Sequence, residues 1–569
     1  MLKRAFLLSA VMLASVAGAQ VKNPGILTDV EIGDWRTFDP ADCYEQGCGE
    51  ILQNVLETLY FPEGENASKF VPQLAAAMPE VTNGGKTYTI KLRKGVKFTN
   101  GQPLTADDVV YSIQRSLVLS VDGGPAQLLI EPLLGSTDLI RKGGKIGFDD
   151  IAKAIQAKGD DTVVFNLAAP FSAFISILAS PYANIYNKDE AVKAGDWSGT
   201  AKDWEKFNNP EAGTTMYAKK PPVGTGAFVL ERYDVGQNVI LKRNDAYWRA
   251  PAKLTRVIVQ NVSDENTRIK MLEAGDADLA FVNRPSIPRV KGSAGVKIIE
   301  DTTLSLTAFF MNQKINGQGT NYLGSGKLDG NGIPSNFFSD VNVRKGFAAA
   351  MDYDALIKDV LLGAATHPSS VIVKGLLGYS TNLPKYKYDK NLATKYLKAA
   401  WKGQVWKNGF TLPVFFNSGN TKRKGALEIL KKNLESLNPK FKVEVRELPF
   451  SQVIAQGQNS QMTVWAGAWG ADYADPHNFA FPFLQSSGNY PTQIGYKNTK
   501  LDGLISEAVT STDSKKRVAL YRQIQQIAYN DTPFIPLYQE LFPFVQRDWV
   551  KGRLINPVFA DDYYYTISK

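Results

Sequence analysis

Apolar residues recur along this chain in two rhythms. Over residues 51–60 they fall at Ile51, Leu52, Val55, Leu56 and Leu59, which share one face of a helix. Over 86–97 they alternate instead: Tyr88, Ile90 and Leu92 are separated by Thr87, Thr89, Lys91 and Arg93, the pattern of a strand. Asn100-Gly101 signals a turn. Thr105 then precedes a helix, with Asp108 as a short-armed capping box and Val109, Val110 and Ile113 following. Residues 228–241 read as two strands around Gly236, and Ser263 precedes a helix that stops at Gly275. Residues 343–351 and 353–362 read as successive helices, the second stopped by Gly363. Strands over 412–416 and 443–448 flank a helix over 424–437. Strand, helix, strand in that order predicts βαβ units and an α/β fold. Gly and Asn crowd 316–336, which reads as a surface loop.

The amino terminus departs from both rhythms. Lys3 and Arg4 are followed by an apolar run over 5–16, then by Ala17-Gly18-Ala19. A basic start, a short apolar core and a small-x-small end predict a cleavable secretory signal over 1–19, with Gln20 as the new terminus. The run is too short for a membrane span, and no later stretch approaches that length. An extracytoplasmic, periplasmic location follows. The chain has 569 residues with a formal charge of +9, which falls to +7 without Lys3 and Arg4. The basic residues are dispersed among acids, so nucleic acid is not an expected partner. Cys43 and Cys48 are the only cysteines. A pair this close in an oxidising compartment is expected to bond, with free thiols and then metal ligation as alternatives. Only His367 and His477 could add imidazole ligands, so neither a metal nor a cofactor is expected.

Catalytic constellations are missing. There is no Gly-x-Ser-x-Gly elbow, no phosphate loop and no paired-His zinc spacing. Gly224-Thr225-Gly226 lacks a third Gly and a following helix, and reads as a tight strand entry. Asp472 and Asp475 could serve a glycosidase-like envelope hydrolase, but Asp pairs in loops more often cap helices or close turns. No catalytic residue is assigned, and the chain is not expected to be an enzyme.

Four segments carry a resemblance. The first is Pro72-Gln73-Leu74-Ala75, then Gly85-Lys86-Thr87-Tyr88-Thr89-Ile90-Lys91-Leu92-Arg93-Lys94-Gly95-Val96-Lys97-Phe98, then Asn100-Gly101-Gln102-Pro103-Leu104-Thr105-Ala106-Asp107-Asp108-Val109-Val110-Tyr111-Ser112. The second is Gly224-Thr225-Gly226-Ala227-Phe228 with Arg243-Asn244-Asp245-Ala246-Tyr247-Trp248 and Leu272-Glu273-Ala274-Gly275-Asp276-Ala277-Asp278. The third is Val343-Arg344-Lys345-Gly346-Phe347-Ala348-Ala349-Ala350-Met351-Asp352, and the last Trp469-Gly470-Ala471-Asp472-Tyr473-Ala474-Asp475-Pro476. Together and in this order they resemble the extracytoplasmic solute-binding proteins (bacterial family 5) that serve oligopeptide, dipeptide and nickel ABC importers.

That resemblance implies two lobes closing over a ligand, with an additional domain inserted in the first. Domain I would comprise 20–50, 187–303 and 538–569, the inserted domain II 51–186, and the second lobe, domain III, 304–537. It implies a peptide ligand, a membrane-embedded ABC permease as partner, and a monomer. Asp472 matches the carboxylate that pairs with a peptide's α-ammonium. Gly467, Ala468, Trp469 and Gly470 match the strand that meets the ligand from the second lobe. Tyr44, Glu45 and Gln46 match the strip facing it from the first, between Cys43 and Cys48. Trp469 is equally suited to a core position. Peptide-binding relatives often supply an Arg for the ligand's carboxylate, but 464–467 and 414–417 hold no cation here. That favours longer peptides over a dipeptide-only pocket and leaves an oligosaccharide, met by Trp465 and Trp469, as the alternative. Nickel is disfavoured by the scarcity of His.

Overall fold

A computed structural model describes residues 21–33, 35–559 and 561–569 of the chain. The secretory signal expected over 1–19, with Gln20 after it, lies outside the described residues. Where apolar side chains alternate the backbone is extended, and where they recur every three or four residues it is helical, giving a mixed α/β protein. The capping box forms, with the Thr105 amide donating to Asp108 Oδ2 at 2.9 Å ahead of the helix Ala106–Leu119. Other bounds move. The helix expected over 51–60 runs over Gln46–Val55. It stops there as the chain turns extended at Leu56, and Glu57 is drawn into a buried polar cage. Thr225 Oγ1, the Tyr247 hydroxyl and Trp248 Nε1 donate to its carboxylate at 2.8, 2.7 and 2.7 Å. The strand expected over 86–97 is only Thr87–Lys91, because Gly95 turns the chain at a φ of +81°. Residues 353–362 begin as the helix Tyr353–Ala355 and widen into a π-helical turn, Leu356–Val360.

Twelve strands form one mixed sheet that runs through both lobes. Phe441–Leu448, Phe410–Asn417, Val464–Gly470 and Ser305–Met311 lie on one side of the strand Phe534–Arg547. Leu279–Ala280, Ile26–Glu31, Arg256–Asn261, Asn238–Arg243 and Phe228–Asp234 lie on the other. Phe534–Arg547 is long enough to belong to both lobes. Residues 534–538 pair with Ser305–Met311, and 541–547 pair with Val296–Thr302. The change of partner is held by the buried Gln539. Its Oε1 accepts from the Lys374 amide at 2.9 Å, and its Nε2 donates to the Thr303 and Lys374 carbonyls at 2.7 and 2.9 Å.

A separate antiparallel sheet orders Glu80–Thr82, Thr87–Lys91, Thr162–Asn166 and Ile155–Ala157, with the helix Ala106–Leu119 against it. That helix is tied to the amino-terminal segment by one buried cation. Arg115 donates to both carboxylate oxygens of Asp39 at 2.7 and 2.8 Å and to Asp196 Oδ2 at 2.5 Å. Arg115 and Asp39 are fully shielded from solvent, and Asp196 nearly so. Arg115→Met would leave two buried carboxylates without their counter-charge, and removing one partner of such a group costs about 3–5 kcal/mol. Urea denaturation at neutral pH should show a loss of that size; a loss below about 1 kcal/mol, the value of an exposed pair, would contradict it.

Candidate functional site

Two short segments, one from each lobe, build the site. In the first lobe Cys43 and Cys48 are bonded, with Cα atoms 6.0 Å apart, so free thiols and metal ligation no longer apply to them. The bond closes a small loop around Tyr44, Glu45, Gln46 and Gly47 at the start of the helix Gln46–Val55. Closing so short a loop removes conformational freedom that the loop would otherwise lose on meeting a ligand.

In the second lobe, Val464–Gly470 pairs along its whole length with Ser305–Met311. On its other side Phe410–Asn417 pairs only with Val464 and Trp465. From Ala466 to Gly470 that edge has no strand neighbour among the described residues. Asp472 lies just beyond, oriented by Asn478. The Asp472 amide donates to Asn478 Oδ1 at 2.9 Å, and Asn478 Nδ2 donates to Asp472 Oδ2 at 3.1 Å. Asp475 has a different task. It accepts from the His477 amide at 2.9 Å, opening the helix His477–Leu484, and both its oxygens accept from Arg517 Nη2, at 2.7 and 2.8 Å.

The two segments meet where the Tyr44 hydroxyl donates to Asp472 Oδ1 at 2.5 Å. The Tyr182 ring lies edge-on to Tyr44, with centroids 5.0 Å apart. Burial holds the Asp472 carboxyl above its ordinary pKa, opposed by the hydrogen bonds from Tyr44 and Asn478. Burial, and then the Asp472 charge, raise the Tyr44 phenol and push Tyr182 up to about 12. Asp472 lines a cavity of about 80 Å³ with Gln46, Ser180 and Tyr182. A larger one of about 480 Å³ is lined by Gln46, Ser305, Lys422, Gly470 and Asp561. The two share Gln46, Ala471, Pro557 and Phe559, so they are adjoining parts of one interlobe space.

Of the residues singled out from sequence, the structure thus brings together Tyr44, Gln46, Gly470 and Asp472. Glu45 is exposed and turned to Arg36, which donates to it from Nε at 3.4 Å. Gly467 is buried, and a Cβ there would come within 2.9 Å of the Phe310 ring, so its smallness serves packing. Ala468 is exposed, with its carbonyl accepting from the Tyr490 hydroxyl at 2.9 Å. Trp469 lines neither cavity; its Nε1 donates to Asn478 Oδ1 at 3.2 Å, so it bears on Asp472 through Asn478. Trp465 is buried against Phe310, with centroids 5.4 Å apart. Sequence reasoning missed Asn478, Tyr182 and Lys422. Asn478, two residues past Pro476, stood close enough to the motif to be weighed with it. Lys422, in the first turn of the helix Thr421–Leu437, brings a cation to the larger cavity and pairs there with Glu540.

Similarity to known proteins follows this geometry. A family model described as bacterial extracellular solute-binding proteins, family 5 Middle, matches residues 69–491. The chain belongs to this family. Heme-binding protein A of Haemophilus influenzae is 26% identical over 509 residues, spanning 87% of this chain and 84% of that protein. Dipeptide-binding protein DppE of Bacillus subtilis is 24% identical over 538 residues, spanning 92% of this chain and 88% of that one. The structure of the ABC transporter-associated periplasmic binding protein DppA from Helicobacter pylori, in complex with peptide STSA, matches with a TM-score of 0.69 at 22% identity. It covers 96% of this chain and 98% of that one. The fold is therefore the two-lobed α/β fold of the family, and these relatives are binding proteins. The carboxylate pair weighed for a hydrolase is not free, because Asp475 is committed to Arg517.

The Tyr44 hydroxyl links the two lobes through a hydrogen bond to the Asp472 carboxylate, an interaction worth about 1.5–3 kcal/mol. Tyr44→Phe should therefore move the ligand-free lobes toward an open arrangement by about tenfold or more. Spin labels on the exposed positions Val235 and Phe450, one in each lobe, would report it. A longer distance population should appear in the variant. An unchanged distribution would show that Tyr44 does not hold the lobes together.

Proposed function

We propose that the protein is an exported receptor that captures peptides between its lobes and delivers them to a membrane-embedded ABC permease. The observation that carries this reading is Asp472. It is a carboxylate in an interlobe cavity, beside a strand edge that lacks a neighbour, with its pKa held up by burial. An α-ammonium there would replace the Tyr44 hydroxyl with a charge-assisted partner. The peptide main chain would then pair with the 466–470 edge, which gives affinity without reading side chains. Lys422, which lines the larger cavity paired with Glu540, is the cation that a ligand carboxylate would meet there in exchange for Glu540. In this reading domain I comprises 20–50, 187–303 and 538–569, domain II 51–186 and domain III 304–537. The lobes close about the partner change in Phe534–Arg547. A signal over 1–19 directs export, and no helix among the described residues is long and apolar enough to cross a membrane. The working unit is one monomer with one ligand, and nothing is turned over. An oligosaccharide gains no support from the tryptophans, since Trp465 is buried in packing and Trp469 is held on Asn478.

Asp472→Asn keeps the shape and removes the charge. Affinity for free-amine peptides should fall by about 2–5 kcal/mol, the range for a desolvated hydrogen-bonded charge pair. N-acetylated peptides should bind the wild type poorly and lose little more in the variant. Calorimetry on both ligands separates charge pairing from folding damage. Equal affinity of wild type and variant for free-amine peptides would remove the peptide reading.

A pH dependence follows from the same group. Asp472 is raised in the free protein, so it protonates at a higher pH than an ordinary carboxyl, and only its ionised form pairs with an ammonium. Affinity should therefore weaken as pH falls through a range above that of ordinary carboxyls. Asp472→Asn should lack that part of the profile. A variant profile that coincides with the wild type over this range would assign the pH dependence elsewhere.

A further inference from the structure

Beside the larger cavity lies a group of carboxylates that peptide capture does not use. Asp29 and Glu31 alternate onto one face of the strand Ile26–Glu31. Glu50 comes from the helix Gln46–Val55, and Asp561 and Asp562 from the tail just before the turn Tyr564–Thr566. Carboxylate oxygens of Asp29, Glu50 and Asp562 lie within 4.8 Å of one another, as do those of Glu31, Glu50 and Asp561. Arg553 is the cation paired with them, and both its hydrogen bonds, each 2.6 Å, go to Asp562.

The donors in place do not meet every carboxylate, and the buried Arg553 Nη1 has no partner among them. The Tyr564 hydroxyl has one proton and lies 2.5 Å from Glu50 Oε1 but 3.4 Å from Asp29 Oδ2, so Asp29 is left short. Glu50 is fully buried, and its Oε2 has no partner; neither has the buried Oε1 of Glu31. Unpaired buried carboxylate oxygens are costly. The group therefore needs either protons or a cation. Asp561 and Asp562 line the 480 Å³ cavity, which gives an ion a route in.

The donor set selects the ion. All donors are oxygen, with neither thiolate nor imidazole in the two groups, which favours a hard cation over zinc or nickel. Carboxylates from three separate segments suit the irregular coordination of calcium better than the strict octahedron of magnesium, which keeps most of its waters. We propose that Asp29, Glu31, Glu50, Asp561 and Asp562 form a calcium site that ties the carboxy-terminal tail to the first strand and first helix beside the ligand cavity. The site would act as a clasp on one wall of the cleft, and it does not depend on the ligand being a peptide.

The test uses the exported chain stripped with chelator and dialysed against calcium alone. Equilibrium dialysis should find one saturable ion per chain, with a dissociation constant on the order of 10⁻⁴ M, typical of extracytoplasmic oxygen sites. Calcium should raise the thermal midpoint, and bound terbium should luminesce on excitation of the nearby Tyr564 phenol. Glu50→Gln should weaken binding at least about tenfold. Should that buried variant not fold, Asp561→Asn, in the half-buried tail, carries the same expectation. No saturable binding up to about 10 mM would overturn the site and assign the excess charge to bound protons. Full retention of binding in Asp561→Asn together with Glu50→Gln would overturn it equally.

Discussion

Asp472 sits where the two lobes meet, and its carboxylate is held by the Tyr44 hydroxyl from across the cleft and the Asn478 amide from its own side. A carboxylate taken out of water needs donors, and an ionised one is best served by a cation. Among the described residues its side-chain donors are the Tyr44 hydroxyl and the Asn478 amide, with no cation paired to it, and the ammonium of the proposed ligand would supply that charge. Much of the local architecture follows from that constraint. The disulfide-bonded loop presents Tyr44, Asn478 fixes the plane of the carboxylate, and Trp469 fixes Asn478. Each link is short, so a change at Trp469 reaches Asp472 without touching the cavity.

Closing on a ligand also requires lobes that move as bodies and remain joined. Phe534–Arg547 provides the join by changing strand partners midway, with Gln539 satisfying the backbone groups exposed at the change. The helix Ala106–Leu119 is held to the amino-terminal segment and to Asp196 by the buried pairs of Arg115, where burial makes each charge dependent on the other. Asp475 and Arg517 form a similar buried pair in the second lobe, beneath the segment that carries Asp472.

The sequence made the α/β class, the family resemblance and Asp472 visible, because these rest on local periodicity and contiguous motifs. Asp475 as a helix-opening residue was also legible, since Asp before Pro and a helix is a local pattern. Element ends were not. The helix over Gln46–Val55 stops where Glu57 enters a cage built by Thr225, Tyr247 and Trp248, residues far along the chain. Lys422 escaped notice because its approach to the cavity depends on tertiary packing. The acidic group was hidden for the same reason: Asp29 and Tyr564 are 535 residues apart in sequence and meet only in the fold. A count of Cys and His also turns attention from oxygen ligands, which Asp and Glu supply without a spacing rule.

The central claim is that this cleft recognises the free amine of a peptide at Asp472. It is tested most directly by a crystal structure of the protein with such a peptide bound. The account predicts the peptide's terminal nitrogen about 2.7–2.9 Å from an Asp472 carboxylate oxygen, in charge-assisted contact. Tyr44 should be displaced from that oxygen, and the peptide backbone should run along residues 466–470. A bound peptide whose amine lies elsewhere, with Tyr44 still donating to Asp472, would contradict it.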